Sequence, residues 1–181
     1  MVASIYWLPN KWPGRLAIAP RPRGGEWLED EMKSWKRGDV DIVVSLLTPD
    51  EIADFELQDE AAQAQTQGIQ FHSYPVPDRG VPDSLGGIDE LAKRLARDLQ
   101  AGRNVVIHCR QGIGRSALLA AIVLGYLGVD EELAIKQISD ARRLKVPETT
   151  EQCRWISDFA KSRRVALTIA ENRDSNENVA V

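Results

Sequence analysis

The stretch His108-Cys109-Arg110-Gln111-Gly112-Ile113-Gly114-Arg115-Ser116 decides how the rest of the chain is read. Five residues separate Cys109 from Arg115, and two of them are glycines. An apolar β-branched run, Val105-Val106-Ile107, precedes the stretch, and an alanine- and leucine-rich segment follows it to Leu127. Strand, glycine-bearing loop and helix in that order bring the backbone N–H groups of a helix N-terminus around one point. Those dipoles favour an anion, so a cysteine in the loop is drawn toward the thiolate, its nucleophilic form. The amides of Arg110, Gln111, Gly112, Ile113 and Gly114 can also hold the oxygens of a phosphate, with Arg115 adding a planar two-pronged contact. Gly112 and Gly114 suit the tight, partly left-handed turns that such a loop requires. A nucleophile and an anion cradle in one loop suggest phosphoryl transfer through a cysteinyl-phosphate.

Runs of strand length occur at 4–8, 16–19, 41–47, 69–74 and 104–107, set between helical patterns. The run 41–47 is apolar but for Asp41 and Ser45, as expected of a strand buried on both faces. Thr48-Pro49-Asp50-Glu51 reads as a helix start, with Thr48 capping and Glu51 completing a capping box. The helical region it opens closes at Gly68. Leu85, Ile88, Leu91, Ala92, Leu95 and Leu99 recur at helical spacing up to Gln100, with Asp83 as the natural cap. Helices are also predicted over 27–36, 114–126, 131–143 and 150–162, the one after Gly114 apolar nearly all round. This alternation predicts an α/β fold, a largely parallel central sheet of four to five strands with helices on both faces. Ligands in such sheets bind beyond the carboxyl ends of the strands. Cys109 and Asp78 both lie just past such ends.

At 181 residues the chain is read as one domain over 1–165, with 166–181 a polar, disordered tail. A net charge of −4 argues against a dedicated nucleic-acid binder. No apolar run reaches the roughly 18 residues that a membrane span needs, and no secretory signal is visible. The two cysteines, Cys109 and Cys153, belong to no paired metal-ligand spacing. Thiols without a disulfide framework fit a reducing, cytoplasmic setting. No metal or organic cofactor is expected.

His108 through Ser116 resembles the signature loop of the cysteine-dependent protein-tyrosine and dual-specificity phosphatases. Pro75-Val76-Pro77-Asp78-Arg79-Gly80-Val81-Pro82 resembles the loop that carries the general acid in that superfamily. Pro147-Glu148-Thr149-Thr150-Glu151-Gln152 is similar to the segment that positions the hydrolytic water in some members. Order and spacing are nearest to the compact kinase-associated type, over about residues 40–160. The resemblance implies Cys109 as nucleophile, Arg115 as phosphate fork, Asp78 as general acid and Ser116 as hydrogen-bond partner of the departing sulfur. Glu148 stands where those phosphatases carry a water-orienting glutamine, and Gln152 matches a later one, so both remain candidates.

The long loop that deepens the pocket of tyrosine specialists has no counterpart. The two lysines of inositol-lipid phosphatases are replaced by Arg110 and Ile113. A shallow, dual-specificity pocket for a phosphorylated protein or peptide is therefore expected, with phosphotyrosine preferred on small peptides. Neither a nucleic-acid nor a membrane partner is expected, and the oligomeric state is left open. Asp83 competes with Asp78 as the acid. His108 is expected to bond nearby backbone, and His72 and Cys153 to be structural. Two other readings compete. One is a phosphoprotein-binding module with weak catalysis; the other is a sulfurtransferase or arsenate reductase using the same kind of loop.

Overall fold

A computed structural model of the chain describes residues 4–9 and 11–177. Strands β1 (Tyr6–Trp7), β2 (Leu16–Pro20), β3 (Ile42–Ser45), β4 (Gln70–Ser73) and β5 (Val105–Cys109) form one sheet in the order β1-β2-β5-β3-β4. Only β1 is antiparallel to its neighbour; β2, β5, β3 and β4 run parallel. Parallel neighbours need crossovers. These are supplied by α1 (Leu28–Arg37), α2 (Pro49–Asp54), α3 (Glu60–Thr66) and α4 (Leu85–Gln100). The chain then closes with α5 (Arg115–Tyr126), α6 (Glu131–Arg142) and α7 (Thr150–Glu177).

Side-chain alternation divides the core into two layers. Leu16, Ile18, Val44, Val105 and Ile107 pack with Ile88, Leu95 and the α5 residues Leu118 and Leu119. Ala17, Ala19, Val43 and Val106 face Met32, Trp35 and Ala64 on the opposite side. All residues of β3 and β5 are buried, which accounts for the apolar runs 42–44 and 105–107. Arg115 through Leu124 are likewise all buried, so α5 is the central helix. The connections that leave β2 and β3 pack on one face and α5 leaves β5 on the other, so a crevice opens at the carboxyl end of β5.

Local structure departs from the sequence reading in four places. Strand β5 runs through Cys109, so the sulfur sits on the last strand residue rather than beyond it. The helical region from Thr48 to Gly68 divides in two, because Glu56 adopts a left-handed φ of 54° and turns Leu57 into the core at 2% exposure. Asp83 does not cap α4: Ser84 holds the N-cap position without a side-chain bond. Helix α7 continues past Ser162, with no glycine or proline to stop it. Its backbone is helical into the segment read as a tail, as far as Glu177, and residues 178–181 lie outside the described residues.

Candidate active site

Strand β5 delivers Cys109 at the middle of the sheet edge, 3% exposed, and Pro20 of β2 pairs beside it. The loop then presses against β2. Gly112 has a φ of 66°, and a Cβ there would stand 2.5 Å from the carbonyl carbon of Ala19. Only glycine meets both demands. Three loop carbonyls are engaged by donors from neighbouring segments. The Arg21 backbone N–H donates to Arg110 O at 3.4 Å. Arg142 of α6 donates from Nε to Gly112 O at 3.0 Å and from Nη2 to Gln111 O at 3.2 Å. The loop's peptide bonds are trans, so each C=O is antiparallel to the N–H that follows it. Turning three carbonyls toward Arg21 and Arg142 therefore turns the N–H groups of Gln111, Gly112 and Ile113 the opposite way. That is the orientation an anion cradle needs.

Arg115, 2% exposed, opens α5. Its Nη1 donates to Glu51 Oε2 at 2.7 Å, Val76 O at 2.9 Å and Leu46 O at 3.3 Å. Its Nη2 donates to Glu51 Oε1 at 2.8 Å and to Asp78 Oδ1 at 2.8 Å. Glu51 thus takes the end of the guanidinium fork, leaving the Nε–Nη2 edge for another two-pronged acceptor, with Asp78 on the Nη2 side. Burial works to raise the Glu51 carboxyl, but hydrogen bonds from Arg115 and the Thr48 backbone hold it below its ordinary value. Burial also disfavours the charge of Arg115, yet Glu51, Cys109 and Asp78 hold its pKa above the ordinary one.

Cys109 Sγ lies 3.4 Å from Ser116 Oγ, which is fully buried in the first turn of α5. Cys109, Arg110, Gln111, Asp78, Arg79 and Glu148 line one pocket of about 290 Å³. Asp78 pairs with Arg115 and, at 3.4 Å, with Arg110. Gln152 is buried and committed: its Nε2 donates to Gly80 O at 3.0 Å, and its Oε1 accepts from Thr149 N–H at 3.3 Å. It ties the start of α7 to the Asp78 loop. Both Glu148 and Gln152 press so closely on Gly114 that any Cβ there would collide with them. Asp83 is exposed and does not line the pocket.

His108 does not bond nearby backbone as expected. Alternation turns it to the opposite layer, where it stands 2.9 Å from Glu60 and edge-on to Trp35. His72 lies on edge strand β4 beside Gln70, and Cys153 is a half-buried free thiol on α7. Among the described residues, no group of three His, Cys, Asp or Glu could hold a metal ion.

Sequence reasoning missed Glu51 and Arg142. The capping box identifies Glu51 as a helix-start residue, and it serves as one: Thr48 N–H donates to its Oε2 at 3.0 Å. The same carboxylate also holds an arginine 64 positions away, which no local pattern reveals. Arg142 reads as an ordinary charged helix residue.

A profile of the family described as Cyclin-dependent kinase inhibitor 3 (CDKN3) matches residues 26–137. The chain belongs to that family. The cyclin-dependent kinase inhibitor 3 of Rattus norvegicus is 30% identical over 150 residues, covering 82% of this chain and 69% of the relative. That of Homo sapiens is 33% identical over 148 residues, covering 81% and 66%. The chain thus spans about two thirds of the length of these curated relatives. A crystal structure of kinase-associated phosphatase, with serine in place of its catalytic-site cysteine, superposes with a TM-score of 0.81. Identity to it is 24%, over 90% of this chain and 96% of that one. The active form of Tk-PTP superposes at 0.70 with 24% identity, over 87% and 97%. These two share the fold of this cyclin-dependent kinase inhibitor 3 family member, the cysteine-phosphatase fold. The expected family and fold class are both met.

Proposed function

We propose that the chain is a protein phosphatase that works through a cysteinyl-phosphate, with residues 1–165 as its catalytic domain. The observation that carries this reading is that Cys109 and Asp78 line one pocket, with Ser116 Oγ 3.4 Å from the sulfur and the buried Arg115 bonded to Asp78 from its Nη2. The incoming phosphate takes the loop amides and that edge of Arg115, displacing Asp78 from Nη2. The Cys109 thiolate attacks phosphorus, and the bond from phosphorus to the ester oxygen breaks. Protonated Asp78 gives its proton to the leaving oxygen. Water then attacks phosphorus, Asp78 takes its proton, the S–P bond breaks and phosphate leaves. The Ser116 hydroxyl stabilises the returning thiolate. Since Gln152 is committed to Gly80 and Thr149, Glu148 is the better placed of the two to orient the water.

Phosphotyrosine and phosphoserine or phosphothreonine on proteins are the proposed substrates. The name its relatives carry makes a cyclin-dependent kinase the first phosphoprotein to test. Among the described residues no helix is long and apolar enough to cross a membrane. Two thiols without a disulfide framework suit the cytoplasm, where we place the protein. The ion pair between Asp78 and Arg115 also favours a second reading, a module that binds phosphoproteins without turning them over. Hydrolysis of an aryl phosphate decides between them. Turnover blocked by vanadate and abolished in Cys109→Ser is expected, and full activity in Cys109→Ser overturns the mechanism.

A further inference from the structure

We propose that Arg21 and Arg110, gathered on the ring of Phe55, form a second anion subsite at the pocket mouth. It would read a carboxylate or phosphate that neighbours the phosphoresidue on the same peptide. The inference rests on the phosphatase reading for its substrate and adds to it a preference for acidic flanks.

The guanidinium of Arg21 lies 4.0 Å from the centre of the Phe55 ring, and that of Arg110 lies 5.6 Å from the same centre. Their backbones touch as well, through the Arg21 N–H donated to Arg110 O at 3.4 Å. The register pins them at the site. Pro20 pairs with Cys109, so Arg21 and Arg110 are the first residues beyond the two strands. Phe55 closes α2 four positions after Glu51, which is the residue that grips Arg115. One helix therefore carries both the buried anchor of the fork and the ring that seats the two cations.

Two guanidiniums on one ring repel each other, and the ring's quadrupole offsets only part of that. Arg21 donates from Nη1 to its neighbour Pro22 O at 3.0 Å and has no carboxylate partner among the described residues. Arg110 is half exposed, and its carboxylate partner among the described residues is Asp78, at 3.4 Å. Arg23, next along the segment, is already committed to buried Glu31. When a phosphate takes Arg115 Nη2, Asp78 leaves, and Arg110 loses its counter-charge with it. The loaded site then presents two unanswered cations beside the phosphate, and an anion on the substrate supplies the missing charge.

The test uses one phosphopeptide in three forms: neutral flanks, an aspartate scanned through the flanks, and a second phosphate at the best position. Two quantities are read for the wild-type protein and for Arg21→Ala and Phe55→Leu: kcat/KM, and binding by the same chains carrying Cys109→Ser. The wild type should favour the best acidic form over the neutral one by about tenfold, and less at high salt. The doubly phosphorylated form reports whether phosphate outranks carboxylate. Arg21→Ala should cut the acidic-to-neutral ratio to about twofold in both readouts. No acidic preference in the wild type, or an equal loss on all three peptides, overturns the subsite. So does displacement of peptide by an inositol polyphosphate where acidic flanks have no effect, which would point to a lipid headgroup instead. If no peptide is hydrolysed, the phosphatase reading fails, while the binding ratio still tests the subsite.

Discussion

Arg115 is a buried cation whose charge is answered before any phosphate arrives. Glu51 holds both Nη atoms, so the fork is aimed rather than free to rotate, and its Nε–Nη2 edge is left for a further acceptor. Arg115→Lys keeps the charge but loses the plane, and kcat for aryl phosphates should fall about 10²- to 10³-fold. Glu51→Gln keeps the shape but loses the charge that aims the fork. A fall in kcat/KM of about 10²-fold is expected, with about 1–3 kcal/mol of stability lost in urea unfolding. Glu51 also sets a pH dependence. Its carboxyl is held below the ordinary value, so the folded state binds fewer protons than the unfolded one. Its contribution is complete above the usual glutamate range near about pH 4.3 and is lost as pH falls toward the lowered value. Stability of Glu51→Gln should therefore decline less steeply than wild type on that acid side. For Asp78, turnover of aryl phosphates is the readout: Asp78→Ala should slow it by about 10²- to 10⁴-fold. Asp83→Ala, exposed and outside the pocket, should keep wild-type turnover; if it does not, the acid is misassigned.

At the scale of elements, the loop is shaped by what it leans on. Its carbonyls are held by β2 on one side and by Arg142 of α6 on the other, and that fixes where its amides point. Arg142→Ala should cost about tenfold or more in kcat/KM and weaken vanadate binding, with little change in unfolding midpoint. Arg142→Lys should rescue only in part, because one ammonium lacks the planar fork that reaches two carbonyls. Gly112→Ala meets both a left-handed φ and the backbone of β2, and should destabilise by about 2–4 kcal/mol in thermal unfolding.

For the whole molecule, the two core layers serve mainly to hold β5 and α5 in line, so the loop between them has little freedom. Leu119, fully buried on α5, should cost about 2–5 kcal/mol when replaced by alanine. Anion binding should feed back on the fold, because the cradle exists only when β2, β5, α2 and α6 are assembled. Vanadate at about 100 times its Kd should add about 2.7 kcal/mol, a rise of about 5–10 °C in Tm. Arg115→Ala should abolish that rise while Asp78→Ala keeps it.

The nine residues from His108 to Ser116 carried the loop, its proposed nucleophile and its arginine in the sequence alone, because strand, glycine turn and helix start are local signals read by neighbouring residues. The parallel sheet was legible for the same reason: β3 and β5 advertise two-sided burial in the apolar runs 42–44 and 105–107. What the tertiary structure decided lies at long range. Glu51 looks like a capping residue until α2 is folded against α5, 64 positions away, and one carboxylate then does both jobs. Arg142 looks solvated until α6 docks on the loop. His108 looks like a partner of nearby backbone until strand alternation sends it to Glu60 on the opposite face. Gln152 looks free to meet water until Gly80 and Thr149 occupy its amide. Hydrogen bonds between distant segments leave no periodicity in the chain, so sequence names the candidate groups, while only the packing of helices onto the sheet shows what aims them.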